Sequence, residues 1–580
     1  MRTSRHFFLL KFQLLGIFLW VVVFAAGSAP GQSSSDPRAA NLINQSGAAL
    51  HVAALRSIRI IHAKGNIVAS GLSGSSDNWN EVGGMREVSR FSTPPLGGGS
   101  GWDGKESWTL DQSGLVIVDG SVLGRSSAVS QAYFSNYDLW TPGYGGAIVA
   151  WGGSKSEKGK SYDVLTVTPP KSSLPMDVYF DRATHLPVKV VQTAGPMVTT
   201  VAVTDFKPID GLMIPYRVDT STNTGNSTSF TATSVEVNPS GGVAHLAAPE
   251  SSPHDFSITN GATRASVPVQ TAENHVYLDV MLNGEGPFHF ALDTGGANVI
   301  DPAVAKELGV ASGGSTQVTG VGSASSASSF AMIKTLQVGN ALVTNQAFVV
   351  LPIAKSFGTA HGMPMDGVIG YEVLSRFVTT FDYGNKQVVF HTPGSYTPPA
   401  GAIVIPIVQY GTQPQFACSI DNVPTTCTLD TGARDSISLF TPFVAAHPSV
   451  VPASLTAPGV NGFGVGAPIV VGSGGCRRFR SAASRFAISS EITLRKAKAG
   501  SRCRSSVPMS AARSGTLHHD ARLPSAHDDT NAERGLRHTR LLGSQWRLPR
   551  QQRCNNDHRR SSRNAGRKCR SGQGRCDRIG

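Results

Sequence analysis

Leu292-Asp-Thr-Gly295 and Leu429-Asp-Thr-Gly432 are two copies of one tetrapeptide set 137 residues apart. Chance supplies a lone Asp-Thr-Gly in many chains, but here the flanks repeat as well. At the same offset, with no gap, Pro287 falls on Pro424 and Ile300 on Ile437. Both copies read as strand, turn, strand and then the tripeptide. The first has Val276–Leu282 and Phe288–Leu292 around Asn283-Gly-Glu-Gly286; the second has Gln415–Ile420 and Thr425–Leu429 around Asp421-Asn-Val-Pro424. Each aspartate therefore sits just past the end of a buried strand.

That placement suits a specific chemistry. Two carboxylates brought together across a pseudo-twofold axis do not both ionise; repulsion lifts one pKa, and the pair holds a single proton near mildly acidic pH. The charged member takes a proton from a water between them while the neutral one hydrogen-bonds a scissile carbonyl, so the scheme uses no metal and no cofactor. Asp293 and Asp430 are the candidate catalytic pair. Thr294 and Thr431 offer hydroxyls that can cross-link the two loops, and Gly295 and Gly432 allow the tight turn that aims backbone N–H groups at each carboxylate.

With these motifs the chain resembles the retropepsin-like and pepsin-like aspartic peptidases, specifically the bacterial secreted type with two fused lobes, over roughly residues 270–475. The resemblance implies a Gly-rich flap, which Thr319-Gly-Val-Gly-Ser-Ala-Ser-Ser326 fits, and a Gly-containing element behind the aspartate, which Asp366-Gly-Val-Ile-Gly370 fits. A helix over Tyr371–Phe377 and a strand over Val378–Tyr383 would close the first lobe. In the second lobe Gly459–Gly466 can supply a flap and Ile469-Val-Val-Gly472 reads as a flap strand, but no counterpart of Asp366–Gly370 follows. The second lobe is therefore expected to be incomplete. The first lobe admits an alternative, a homodimer with Asp293 from two chains.

Upstream, short strands succeed one another between about 51 and 240, among them Tyr162–Thr168, Met176–Phe180, Leu186–Val191, Val198–Val203 and Met213–Val218, with turn signals between. The run from Asp177 to Val190 and that from Thr204 to Val218 resemble the curved half-barrel sheets of periplasmic lipoprotein-carrier-like domains. Arg2, Arg5 and Lys11, the apolar stretch Phe12–Ala26 and the small residues Gly27-Ser28-Ala29 read as a secretory signal, with an uncleaved membrane anchor as the rival. The location expected is periplasmic or secreted.

The total charge of +13 is unevenly placed. Residues 471–580 hold 25 Lys and Arg against 7 Asp and Glu, a net of +18, which leaves −5 for everything before. Arg supplies 22 of those 25, without the aromatic interleaving of a nucleic-acid surface or the paired Cys/His spacing of a zinc site, which argues against both partners. An out-of-frame translation beginning near Gly472–Cys476 fits the composition better. Of seven cysteines only Cys418 and Cys427 precede this tail. Centred between Asn422 and Val423 of the second hairpin, they should face each other across it, either as a disulfide in an oxidising compartment or as two buried thiols.

The expected fold is mainly β: an N-terminal antiparallel half-barrel-like sheet, a two-lobed acid-protease β-barrel fold and a disordered tail. The divisions are a signal at 1–29, a linker at 30–50, a lipoprotein-carrier-like domain at 51–240 and a linker at 241–270. Lobe 1 follows at 271–396, a truncated lobe 2 at 401–475, and the Arg-rich tail at 476–580. The function expected is an aspartic-type endopeptidase acting on protein or peptide substrates. The alternative is a non-catalytic periplasmic binding protein for an apolar ligand or lipoprotein, with degenerate peptidase lobes.

Overall fold

The computed structural model describes residues 36–194, 197–320, 325–358, 362–435, 437–450, 459–465, 467–476, 479–481, 490–495, 516–520 and 545–548. The signal segment 1–29 lies outside them. Among the described residues no helix is long and apolar enough to cross a membrane. The chain is mainly β.

Between Ile60 and Val237 the strands form one antiparallel meander. One run of hairpins goes from Ile60–Ala69 through Leu72–Glu81 to Val116–Asp119; another goes from Ile148–Glu157 through Met197–Ile209 to Ser227–Val237. Ser227–Val237 returns beside Ile60–Ala69, with Ile61 facing Val237, so the runs are a single sheet. Helix Val122–Ser135 connects its two ends, capped by the Ser121 hydroxyl, which accepts from Gly124 N–H at 2.9 Å.

Residues 37–50, expected to be linker, are instead helical. Asp36 caps Pro37–Leu50, Pro37 starts it, and Ala39, Leu42, Ile43, Ser46 and Leu50 share its buried face. That face packs on Val149, Leu165, Val178 and Phe180 of the sheet. The small, polar composition of this stretch hid a helical stripe of only a few apolar side chains.

The peptidase-like region begins with β1 (His275–Leu282) and β2 (Glu285–Leu292), then β3 (Val299–Ile300), β4 (Ser312–Thr319), β5 (Ser325–Val338), β6 (Ala341–Val350) and β7 (Gly367–Ile369). The pairing runs β6-β3-β7-β2-β1-β5-β4, and β5 also pairs β6, so the sheet turns back on itself around Phe290, Leu292, Phe348 and Ile369. Parallel pairing of β2 with β7 and of β3 with β6 fixes the end of β2, where Asp293 follows.

Lobe 2 consists of β8 (Gln413–Ile420), β9 (Val423–Thr428), β10 (Ser438–Phe440), β11 (Gly459–Gly464), β12 (Ala467–Cys476) and β13 (Ser490–Arg495). The order β10-β13-β12-β11 reproduces β3-β6-β5-β4, including the parallel pair β10–β13. Strand β13 lies beyond residue 475, the boundary expected from sequence. Among the described residues β9 has no neighbour equivalent to β7, and the core is small: Ile420, Leu439 and Val450, with Val423, Ile437, Phe443 and Val444 against them.

Asp421-Asn422, both at positive φ, close the second hairpin one residue earlier than expected, pairing Ile420 with Val423 and Cys418 with Thr425. Cys418 and Cys427 are therefore diagonal on one face, not opposite. They form a disulfide with a Cα–Cα distance of 6.0 Å. In lobe 1 a β-bulge at Gly286-Pro287 gives β2 one extra residue, so the positions that match the cysteines are Val280 and Phe290, both buried.

Residues 241–270, also expected to be linker, belong largely to lobe 1. Phe256–Ile258 pairs with β6 and Arg264–Pro268 with Gln387–His391. In the tail, expected to be disordered, Thr516–Asp520 pairs with Val378–Asp382 and Gln545–Leu548 with Ile403–Pro406.

A buried ion cluster ties these parts together. Arg376 Nε donates to Asp255 Oδ1 at 2.8 Å and its Nη2 to Asp255 Oδ2 at 3.0 Å and to Asp111 Oδ2 at 2.6 Å. Asp111 comes from the N-terminal sheet, Asp255 from the connecting segment and Arg376 from lobe 1, where its side chain is 2% exposed. Removing one partner strands charge in the interior, so Arg376→Met should destabilise the protein by roughly 3–5 kcal/mol. The expected result is a clear fall in the urea midpoint followed by tryptophan fluorescence. Arg38→Met, at the surface pair with Asp36, should leave the midpoint unmoved.

Candidate active site

The loops that follow β2 and β9 meet tip to tip. Thr294 N–H donates to Thr431 Oγ1 at 3.1 Å and Thr431 N–H to Thr294 Oγ1 at 3.0 Å. In return Thr294 Oγ1 donates to Leu429 O and Thr431 Oγ1 to Leu292 O, both at 3.0 Å. Each hydroxyl thus uses its proton and a lone pair across the interface, and the four bonds obey an approximate twofold axis. Hydroxyls so placed are fully satisfied although both threonines are buried.

The same symmetry governs the aspartates. Gly295 N–H donates to Asp293 Oδ1 at 2.8 Å and Gly432 N–H to Asp430 Oδ1 at 2.9 Å. The two carboxyls lie beside each other at the meeting point of the loops. Each also lies over the opposite glycine: a Cβ at Gly432 would stand 2.4 Å from Asp293 Cγ, and one at Gly295 2.8 Å from Asp430 Cγ. Any larger residue at 432 would push the carboxyls apart. Removal from water and then the adjacent Asp430 charge hold the Asp293 pKa well above the ordinary carboxylate value, against the opposing pull of the Gly295 and Gly296 N–H groups. Asp293 keeps some exposure, towards a cavity of about 80 Å³.

Apolar side chains line that cavity, including Val299, Leu351, Ile353 and Met365 of lobe 1, with Val465 reaching in from lobe 2. Val465 also abuts Gly320, where a Cβ would stand 2.9 Å from its own Cβ. Of the stretch expected as the first flap, residues 321–324 lie outside the described residues, between β4 and β5. In lobe 2 the expected flap forms the hairpin β11–β12, and Ile469–Gly472 lies in its second strand.

Two site residues had no sequence signal. His275 Nε2 bonds Gly432 O at 3.0 Å, and Gln413 Nε2 donates to Gly295 O at 3.2 Å. They are equivalents, one at the start of β1 and the other at the start of β8, each reaching the opposite loop. Their separation is 138 residues, not 137, because of the bulge at Gly286-Pro287, so an ungapped comparison misses them. Burial lowers the His275 pKa, and the Gly432 carbonyl requires the proton on Nε2.

Lobe 1 has a brace that lobe 2 lacks among the described residues. Asp293 N–H donates to Ile369 O at 2.9 Å, Gly370 N–H to Asn298 Oδ1 at 2.9 Å, and Asn298 N–H to Glu372 Oε2 at 2.8 Å. Burial raises Glu372 to about 7. Asp366–Gly370 thus stands behind Asp293, where the family resemblance puts it. The Asp-Thr-Gly loop of lobe 1 meets that of lobe 2 in the same chain.

Residues 278–373 are an aspartyl protease-like region. A family model described as Aspartyl protease matches that span, which contains Asp293 and Asp366–Gly370 and ends before Asp430. None of the curated proteins compared with the chain matches it. Among solved structures, a putative outer membrane lipoprotein-sorting protein domain from Vibrio parahaemolyticus is 13% identical, covering 35% of this chain and 94% of that one at a TM-score of 0.25. A DUF1329 family protein from Desulfovibrio piger is 13% identical, covering 35% and 94% at 0.26. The Pseudomonas aeruginosa MucA/MucB complex is 14% identical, covering 57% and 98% at 0.14. Likenesses at these scores carry nothing about function.

Because glutamine makes the crossing bond in lobe 2, His275→Gln should leave folding and loop geometry intact. His275→Leu leaves the Gly432 carbonyl unmet and should cost about 1–3 kcal/mol. Urea unfolding of the two variants side by side checks the difference.

Proposed function

We propose that this chain is an aspartic-type endopeptidase in which Asp293 and Asp430 of one polypeptide activate a water against a peptide bond. The observation that supports it is the adjacent carboxyl pair, held by mirrored glycine N–H and threonine bonds beside an apolar cavity. The pair shares one proton, and Asp293, whose pKa is raised, serves as the acid and Asp430 as the base.

The steps balance as follows. Asp430 takes a proton from the water as the oxygen attacks the carbonyl carbon, and Asp293 gives its proton to the carbonyl oxygen, forming a gem-diol. Asp430 then returns its proton to the amide nitrogen and the C–N bond breaks. Asp293 recovers a proton from one diol hydroxyl, leaving a carboxylic acid and an amine. Gly295 and Gly432 N–H groups hold the carboxyls in line throughout. Chain export through the segment at 1–29 is part of the proposal, since an exported peptidase with a Cys418–Cys427 disulfide fits an oxidising compartment.

Hydrolysis of an unfolded protein at acidic pH, blocked by pepstatin, is the expected activity. Asp293→Asn and Asp430→Asn should each reduce it to background while the protein stays folded; full activity in either variant overturns the reading and favours a binding role. The rate should fall as pH rises through the raised Asp293 pKa, because the proton donor is lost. Stability follows with a definite sign. The folded state keeps a proton on Asp293 that the unfolded chain releases above about 3.8, so stability declines as pH rises from there through the folded pKa. Asp293→Asn should remove this decline, read as a flatter dependence of the urea midpoint on pH.

A further inference from the structure

Strand β4 is the edge of the lobe-1 sheet, pairing only with β5 among the described residues. Its outward N–H and C=O groups would ordinarily face water or a partner strand. Here they face the N-terminal sheet. The side-chain amide of Asn226, in the turn between Leu212–Thr222 and Ser227–Val237, acts as a one-residue strand. Gln317 N–H donates to Asn226 Oδ1 at 2.8 Å, Asn226 Nδ2 donates to Gln317 O at 3.2 Å, and Thr316 Oγ1 donates to Asn226 Oδ1 at 2.8 Å.

A second contact lies two residues away. Between Gly313 and Thr316 the β4–β5 register slips, a bulge that removes Ser315 N–H from the ladder. Ser70 O, in the turn after Ile60–Ala69, accepts that N–H at 2.6 Å. Gly314, at φ +73°, passes so close that a Cβ would stand 2.8 Å from Ser70 O and 2.9 Å from Leu72 Cγ. Two hairpin turns of the N-terminal sheet thus seize one edge strand of lobe 1.

The next residue of that strand leads to the site. Val318 is 5% exposed and belongs to the buried cluster with Leu351, Ile353, Met365 and Val465, all of which line the cavity beside Asp293. Gln317 and Val318 share a peptide unit, so holding the Gln317 backbone at the sheet edge also holds the backbone from which the Val318 side chain enters that cluster. We propose that Asn226 is a positioning residue for substrate: by holding the edge of β4 it sets Val318, which packs against the cavity-lining residues, and the N-terminal domain thereby sets affinity for peptides. This rests on the peptidase reading for the identity of the ligand.

The test uses the full chain and the oxidised insulin B chain as probe. Peptide binding is measured on an Asp293→Asn background, where hydrolysis plays no part, and KM and kcat are measured with Asp293 present. Asn226→Ala should raise Kd and KM about tenfold, leave kcat within about twofold, and speed hydrogen exchange at the Gln317 amide. Asn226→Asp, which keeps both bonds to Oδ1, should recover part of the affinity. Thr316→Val approaches the same bond from the other side and should weaken binding in the same direction. Faster Gln317 exchange with unchanged Kd and KM overturns the proposal, as does unchanged exchange in Asn226→Ala. A wild-type chain that binds the peptide without cleaving it sinks the peptidase reading and leaves the role of Asn226 to be decided by Kd.

Discussion

Everything in the site depends on two threonine hydroxyls that each give and receive a hydrogen bond across the lobe interface. A hydroxyl has one proton and two lone pairs, so Thr294 and Thr431 can satisfy the opposite loop's N–H and carbonyl at once. The exchange fixes the two Asp-Thr-Gly loops to within hydrogen-bond tolerance, and that in turn forces two carboxyls into contact. Their repulsion is thus a consequence of backbone architecture rather than of any partner the aspartates themselves choose. Neither lobe can supply it alone, which is why the same chain must contribute both halves or two chains must each contribute one.

Much of this was legible in the repeat. The tripeptide, the matching prolines and the strand-turn-strand flanks put Asp293 and Asp430 at equivalent places, because the loop must end a buried strand in both lobes. What was illegible arose where one lobe carries a residue more than the other. The bulge at Gly286-Pro287 shifts β1 against β8 by one position, which hid the equivalence of His275 and Gln413, while the early turn at Asp421-Asn422 moved the cysteines one step from facing each other. Composition misled in a different way at 37–50 and 241–270. A helix or strand that borrows its apolar neighbours from elsewhere needs few hydrophobic residues of its own, so both stretches read as linkers.

The two lobes are unequal behind their matched loops. Asp293 has its backbone N–H on Ile369 and a chain of bonds through Asn298 to Glu372, set in a core that includes Phe290, Phe348 and Phe377. Asp430 follows a hairpin with a three-residue buried core and a disulfide. Pinning β8 to β9 covalently compensates where packing is thin, since a crosslink restricts the unfolded chain irrespective of how much surface the folded one buries. The disulfide occupies the positions of Val280 and Phe290, which in lobe 1 are core. One lobe thus uses apolar volume, and the other a covalent bond, for the same task.

Why an N-terminal sheet should accompany such a site follows from the edges it covers. A peptidase cleft needs an open strand edge nearby, and an open edge invites pairing with any chain that passes. Asn226 and Ser70 occupy part of that edge with single groups rather than a whole strand. At a second place Arg376 links the same two bodies through Asp111, so the sheet is held at points on lobe 1 that are far apart in sequence. Contacts at both sites resist rotation of one body on the other in a way that a single contact does not, and the packing of Val318 against the cavity-lining residues Leu351, Ile353 and Met365 inherits that rigidity.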